Sequence, residues 1–345
     1  MKRPIQVVAL TDVLRDAWEG YLLRCREATV FHRLAWCDAV ESAYGHRPLH
    51  RLAMRDGEVV GVLPMMLVRS RLVGRVIVSV PYATYGGILA EDADAADALL
   101  AEAKQLCTEH DVNYLELRQK DATHFDLPTN DRYDTFRCEL PADPAEILPA
   151  IPKKGRAACR KGLARCEVVF GREHLDAIYD LYAYTMRRLG SPNYSKRLFL
   201  ALAERFGEDC VCELVLLHGK PVAGVMSFVF RDELTAYFSG SLPAATAVCA
   251  SNAMYLTLQQ TCVERGLGVF DFNRTRRDNP GPHAFKRHMG FTAAPLHYKL
   301  MLHNRTEMPN LSPSNRKFSA AVRIWKRLPL WMTRRGGALV TRWIP

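Results

Sequence analysis

Two stretches of this chain can be laid over each other: CTEHDVNYLELR at Cys107–Arg118 and CVERGLGVFDFN at Cys262–Asn273. Each reads as the end of an amphipathic helix running into a short strand, and the spacing between the copies is constant across the stretch. The likeness extends outward in a fixed order. In the first half, the turn Asp56-Gly57-Glu58 separates apolar strands at His50–Met54 and Val59–Leu67. A strand at Val76–Val80, a Gly86-Gly87 loop, a helix at Ala95–Glu109 and a strand at Val112–Arg118 follow. In the second half, His218-Gly219-Lys220 turns between Cys212–Leu217 and Val222–Phe230, and a strand follows at Leu234–Ser239. Then come a Gly240 loop, a helix at Ser251–Arg265 and a strand at Val269–Asn273. An internal duplication is the simplest account, and it limits the chain to a fold that can be built twice. The alternation of helices and strands places that fold in the α/β (α+β) class, each copy a mixed central sheet flanked by helices.

A length of 345 residues accommodates two such domains, each large enough to bury a core. The expected division is 1–140, a linker at 141–152 containing Pro141, Pro144, Pro149 and Pro152, a second domain at 153–304, and a tail at 305–345. An apolar fraction of 48% and a charged fraction of 24% exclude fibrous and wholly disordered classes. The ten cysteines sit mostly in apolar or helical stretches and read as reduced core residues. The opening MKRPIQVVALTDVL is interrupted by Asp12 and lacks an apolar signal core, so a cytoplasmic location is expected. Cys210-Val211-Cys212 is the nearest approach to a metal motif; it lacks paired CxxC or HExxH spacing, and no metal is expected. No apolar run reaches the roughly 18 residues that span a bilayer.

A net charge of +10 points to polyanionic company: the phosphates of a cofactor, RNA, or an anionic membrane face. DNA is not expected among the partners. The charge is concentrated in two places. In PKKGRAACRKGLARC, Lys153, Arg156 and Arg160 fall on one helical face and Lys154, Lys161 and Arg165 on another, with no acidic residue between them. Six cations without acidic i,i+4 partners repel one another unless a phosphate or RNA backbone lies beside them. Beyond Glu307 the chain has no acidic residue, and Arg316, Lys317, Arg323, Lys326, Arg327, Arg334, Arg335 and Arg342 alternate with Trp325, Leu328, Leu330, Trp331 and Trp343. Residues 316–345 therefore suit peripheral contact with an anionic membrane at the inner face of the cytoplasmic membrane. RNA contact and packing back onto the second domain are the alternatives.

The richest constellation is FDFNRTRRDNPGPHAFKRHMGF at Phe270–Phe291. A strand ends at Phe272, and Arg274, Arg276 and Arg277 follow in a turn-rich loop before Phe285-Lys286. Loops leaving strand ends are where a rigid sheet positions side chains that need not pack. Five cations, counting Lys286 and Arg287, suit a phosphorylated substrate or a developing oxyanion. Asp271, flanked by Phe270 and Phe272, must be paired or protonated if buried, with Arg274 or Lys286 as partner. It reads as an orienting ion pair or a general base. Tyr237 and Ser239, before the Gly240 loop, and Tyr255 on the next helix are pocket candidates, as is Phe285. His283 could relay protons near neutral pH.

At this stretch the sequence resembles the signature of Fem-type proteins, two-lobed members of the GNAT superfamily, and in particular the FemAB-like group associated with PEP-CTERM/exosortase exopolysaccharide loci. Further markers are FHRLAW at Phe31–Trp36, the DGEVVGVLPM hairpin, VPYATYGGIL at Val80–Leu89, GKPVAGVMSF at Gly219–Phe228, AYFSGS at Ala236–Ser241 and PLHYKL at Pro295–Leu300. The resemblance implies two tandem GNAT-like domains and transfer of an acyl or aminoacyl group to an amine by direct attack. It implies that Lys286 stabilises the tetrahedral intermediate. The chain departs from the family pattern at Asn273, Thr275, Asp278-Asn279 and Met289, and neither half shows the (Gln/Arg)-x-x-Gly-x-(Gly/Ala) pyrophosphate loop of acetyl-CoA-dependent enzymes. The donor is thus left between acyl-CoA and aminoacyl-tRNA, with tRNA an expected partner in the second case.

The leading expectation is an acyltransferase acting on an amine of a cell-envelope or exopolysaccharide precursor. The alternative is a non-catalytic two-lobed adaptor that binds a nucleotide-sugar or lipid-linked intermediate at the membrane surface.

Overall fold

The structure, a computed structural model, describes residues 4–307 and 318–344. The chain forms two compact units: 4–131 with 296–307 and 342–344, and 132–295 with 318–341.

In the first unit, strands β1 (Gln6–Ala9), β2 (Arg47–Pro48), β3 (Arg51–Arg55), β4 (Glu58–Leu63), β5 (Met66–Ser70), β6 (Gly74–Val78), β7 (Leu89–Ala90), β8 (Tyr114–Leu117) and β9 (Thr129–Asn130) accompany helices α1 (Arg15–Arg24), α2 (Leu34–Tyr44) and α3 (Ala93–Glu109). One sheet runs β1-β3-β4-β7 and another β2-β5-β6-β8, extended by a late strand at Tyr298–Leu302 and then β9. The single strand expected at Val59–Leu67 is two, because Pro64 has no N–H for a ladder and the chain changes sheet there. Helix α3 starts where the Asp92 carboxylate accepts the Ala95 N–H at 3.0 Å, and its Ala95, Leu99, Ala103 and Leu106 enter the core at helical spacing.

The second unit contains β10 (Tyr133–Glu139), β11 (Glu167–Phe170), β12 (Cys210–Leu217), β13 (Lys220–Phe230), β14 (Glu233–Ser241), β15 (Val269–Asp271), β16 (Thr275–Arg276) and β17 (Ala293–Pro295). Its helices are α4 (Pro144–Ala150), α5 (Lys153–Leu163), α6 (Leu175–Leu189), α7 (Lys196–Phe206), α8 (Pro243–Val248), α9 (Ala250–Glu264) and α10 (Pro280–His288). The sheet order is β11-β12-β13-β14-β15-β10-β16, with β17 also on β10. After the late strand β18 (Tyr298–Leu302), helices α11 (Ser319–Arg327) and α12 (Leu330–Thr341) return to the second unit.

The duplication is visible in the pairing. Strand β6 lies parallel to β8, with Ile77 opposite Leu115, and β14 lies parallel to β15, with Leu234 opposite Phe270. Each of these pairs is flanked by an antiparallel strand drawn from the other part of the chain. Strand β18, which follows the second unit, pairs with β8, and β10, which follows the first, pairs with β15. The expected boundaries at 140 and 304 therefore cut across both sheets. The expected linker at 141–152 is helix α4, capped by the Asp143 carboxylate on the Ala145 N–H at 2.8 Å, and Ile147 and Ile151 are in the second core. Pro144 serves the helix rather than breaking it, since it occupies the first turn.

Glycines set how closely the second unit's helices approach. Gly240 is not in a loop but inside β14, where a Cβ would run into the backbone of Leu181 and Tyr182 on α6. A Cβ at Gly155 would meet the His288 carbonyl at the end of α10, and one at Gly162 the Cys249 carbonyl. Helix α5 thus lies against α9 and α10 through Gly155, Cys159 and Gly162, leaving Lys153, Lys154, Arg160 and Lys161 exposed. All ten cysteines are free thiols, and burial pushes those of Cys107, Cys159 and Cys262 up to about 12. Gly240→Ala is expected to lower unfolding stability by about 1–3 kcal/mol through overpacking. Gly268→Ala, whose Cβ meets nothing within 4 Å, is expected to change it by less than about 0.5 kcal/mol. Urea denaturation midpoints of the two variants compare them directly.

Candidate active site

Strand β15 is short because its neighbours demand different things at its end. Asp271 pairs with Arg137 of β10 and Thr235 of β14 in the ladder, and its carboxylate turns back to accept the Asn273 N–H at 2.6 Å. That turn drives Asn273 to φ +66°, a left-handed conformation that asparagine tolerates better than most residues. The strand's last carbonyls, on Phe272 and Asn273, are thereby directed at one point.

Lys286 occupies that point. Helix α10 carries it inward, buried, and its Nζ donates to both carbonyls at 2.8 Å. The ammonium also lies 4.8 Å from the Phe136 ring centre and 5.8 Å from that of Phe272. Burial pushes it down to about 7, against the pull of the nearby Asp271 carboxylate. Asp271 is thus part of Lys286's electrostatic setting, while the hydrogen bonds of Nζ go to backbone.

An aromatic wall joins Lys286 to the sheet. The Tyr255 ring stands edge-on to Phe272, centres 4.5 Å apart, with Phe285 at 5.7 Å, and its hydroxyl lies beside Ser239. Burial pushes that phenol up to about 12. Tyr237, two residues before Ser239 on the same face of β14, packs edge-on against Phe228 and Phe238. Of the expected site residues, the structure brings Lys286, Asp271, Tyr255, Phe285 and Ser239 into this one connected group.

The arginines are placed differently from expectation. Arg276 is paired with Asp278, and Arg277 Nε donates to Asp134 at 2.7 Å. Arg274 stacks over the Tyr133 ring at 4.6 Å. The loop's positive charge is therefore largely compensated locally, and the expected five-cation cradle is not what the chain builds. His283 is on α10 rather than in a loop, half-buried, with Nε2 3.8 Å from Asp134 and its ring edge-on to Phe136. Lys153, Arg156 and Arg160 are on α5, joined to α10 at the Gly155–His288 contact; the Arg156 Nε donates to the Ile151 carbonyl.

The sequence reading missed Glu213. It sits in the middle of β12, fully buried, in a row running Glu213–Val225–Ser239 across β12, β13 and β14. Its Oε1 is 2.5 Å from Thr257 Oγ1 on α9, while Oε2 has no hydrogen-bond partner among the described residues. The Thr257 hydroxyl also lies 2.9 Å from the Ala253 carbonyl and 3.0 Å from that of Met254. The one Thr257 hydroxyl donor is thus shared among the Glu213 carboxyl and these two carbonyls. Burial pushes the Glu213 carboxyl well above the ordinary carboxylate range. Within the sequence, Glu213 was one polar letter in an apolar strand, with nothing to mark it as inward-facing.

No group of three or more His, Cys, Asp or Glu among the described residues could hold a metal ion. Between β14 and α9 the chain forms helix α8, and residues 242–250 contain no glycine.

Residues 151–287 match the family model described as Acetyltransferase (GNAT) domain. Among solved structures, FemX is similar at 14% identity and a TM-score of 0.66, covering 87% of this chain and 98% of its own. A tandem GNAT protein from the clavulanic acid biosynthesis pathway is 12% identical with a TM-score of 0.54, over 88% of this chain and 100% of its own. L-PGS from Bacillus licheniformis is 12% identical with a TM-score of 0.54, over 91% and 97%. At these identities the likeness establishes the fold: two tandem GNAT-like units in one chain. No curated protein matches the sequence.

Two titrations follow. In an NMR titration of 13C-labelled lysine, one resonance is expected to move with a midpoint near 7, against about 10.4 for exposed lysines. Lys286→Met should remove it, and a midpoint above 9 would contradict the buried placement. Burial raises the Glu213 carboxyl above its value in the unfolded chain, about pH 4.3. Its contribution to stability is full below that pH and is lost as pH rises through the raised native value. Glu213→Gln should therefore gain melting temperature relative to the parent between pH 4 and pH 8; an unchanged difference would mean Glu213 is ionised in the fold.

Proposed function

We propose that the second unit transfers an acyl or aminoacyl group to an amine of a cell-envelope or exopolysaccharide precursor, with Lys286 as the oxyanion-stabilising group. The observation that carries this reading is the buried Nζ fixed by the Phe272 and Asn273 carbonyls. Two of its protons are held by the backbone, and the third is left to point at a reacting oxygen. In such a step the amine nitrogen forms a C–N bond with the donor carbonyl carbon. The carrier's C–S or C–O bond breaks, and the amine's proton leaves with the carrier as a thiol or an alcohol. A fixed ammonium stabilises the intermediate oxyanion, and one such donor is worth about 3 kcal/mol in rate. Tyr255, Ser239 and Phe285 form the wall against which the reacting carbonyl would lie, and Asp271 and Glu213 act through their neighbours.

The donor's phosphates, which CoA and tRNA share, would be met by Lys153, Arg156 and Arg160. None of these three side chains forms an ion pair with an acidic residue among the described residues. The resemblance to FemX and L-PGS supports an envelope-related acceptor, as does the Phe-Lys pair of α10.

Lys286→Ala should lower turnover about 100-fold or more while the melting temperature and donor binding persist. Assays with acyl-CoA and with aminoacyl-tRNA, each at two salt concentrations, distinguish the donors, since only RNA binding falls steeply with log salt. Unchanged turnover in Lys286→Ala would remove the catalytic role. Donor binding without any transfer, in the parent chain, would favour the adaptor reading.

A further inference from the structure

Helices α11 and α12 cover α6 with one face and leave the other exposed among the described residues. The covered face is specific. Trp325 Nε1 donates to the Ser191 carbonyl at 3.1 Å, Arg187 to the Leu328 carbonyl at 3.0 Å, and Asn193 to the Arg334 carbonyl at 3.3 Å. Arg334 pairs with Asp180 at 2.8 Å, and a Cβ at Gly337 would collide with Asn193. Thr333, Gly337 and Thr341, four residues apart, are buried in this contact. The opposite face is therefore held in place and not left to sample conformations.

That outer face carries large apolar side chains in water. Ile324 is 61% exposed, Trp331 63% and Leu339 69%, with Met332 beside them. Trp331, Arg335 and Leu339 follow at i, i+4 and i+8 on one side of α12. Arg323, Lys326, Arg327 and Arg335 stand among these residues, and none forms an ion pair with an acidic residue among the described residues. Leu189, also exposed, adjoins at the end of α6, where Gly190 meets Val322 and Lys326. Beyond Glu307 the sequence has no acidic residue at all. The sequence reading gave the contact to residues 316–345; Arg316 and Lys317 lie outside the described residues, and Arg342 and Trp343 belong to the first unit, where the Trp343 carbonyl accepts from Ser70.

We propose that the outer face of α11 and α12 is a docking surface for an anionic lipid bilayer. The pairing of residue types selects this occupant. A phosphate backbone would satisfy the four cations but would leave Ile324, Trp331, Met332 and Leu339 in water. A bilayer boundary takes both, the aromatic and aliphatic side chains entering the headgroup and acyl layer and the cations meeting lipid phosphates. Because no helix among the described residues is long and apolar enough to cross a membrane, the contact is peripheral. The surface is independent of the transfer site, and it holds whether or not the second unit is catalytic.

The test uses the full chain and sucrose-loaded vesicles of phosphatidylcholine with or without 30 mol% phosphatidylglycerol, read by co-sedimentation. The parent should sediment with the anionic vesicles at low salt and remain in solution with pure phosphatidylcholine. Trp331→Asp with Leu339→Asp, both at exposed positions, should lower the partition coefficient about ten-fold or more. Arg327→Glu with Arg335→Glu should lower it by at least as much and reduce its salt dependence. Melting temperatures and transferase turnover on a water-soluble substrate should stay at the parent level in both variants. The proposal is overturned if the parent stays in the supernatant with anionic vesicles, or if all three proteins bind equally. It is also overturned if the charge variant loses binding while the apolar variant does not and added RNA displaces the parent from vesicles, the pattern of a polyanion site.

Discussion

The burial of one ammonium group organises the second unit. Lys286 can lie inside only because Phe272 and Asn273 present carbonyl oxygens to it, and those carbonyls converge only because Asp271 turns the chain at the end of β15. Each element is constrained by the next. Asn273 must accept a left-handed backbone, β10 must pair with β15 to hold Asp271 in register, and α10 must end where α5 can close on it through Gly155. A lysine that holds two carbonyls and sits against two aromatic rings has one proton to spare and little freedom in where it points. Burial lowers its affinity for a proton as well, so the same placement that fixes the group also brings its titration near neutral pH.

Glu213 and Lys286 are both buried in the second unit, and burial moves them in opposite directions. Removal from water favours the neutral form of each, raising the carboxyl and lowering the amine, although the chain as a whole is strongly basic. The basic character is spent on the surface, on α5 and on the outer side of α11 and α12.

Much of this was legible in the sequence, and the limits have physical causes. Alternation of apolar residues and the turn residues at Asp56-Gly57 and His218-Gly219 gave the strands and hairpins, because period-two patterning follows directly from which side of a strand faces the core. The repeated helix-to-strand segment gave the duplication. The strand partners were not legible: alternation specifies a face and not a neighbour, so nothing in the sequence placed Tyr298–Leu302 on β8 or Tyr133–Glu139 on β15. The reading of a proline-bearing linker failed at α4 because proline in a first helical turn costs nothing. Gly240 looked like a loop because a glycine needed for close helix approach and one needed for a turn are the same letter. Lys286 was found through the family resemblance. Glu213 was not, since both faces of β12 are buried and the period-two signal vanishes there.

The exchange of β10 and β18 has a consequence for how the protein comes into being. As the chain leaves the ribosome, the first 131 residues lack the strand that flanks β8, and that strand is not made until the whole second unit has been synthesised. The earlier-made unit is therefore the later one to be finished. Until then the edge of β8 is an open ladder of backbone donors and acceptors, of the kind that recruits foreign strands. A gene cut at the apparent midpoint of the repeat would give two products that each carry the other's missing strand, so separately expressed halves should regain their sheets only when produced together.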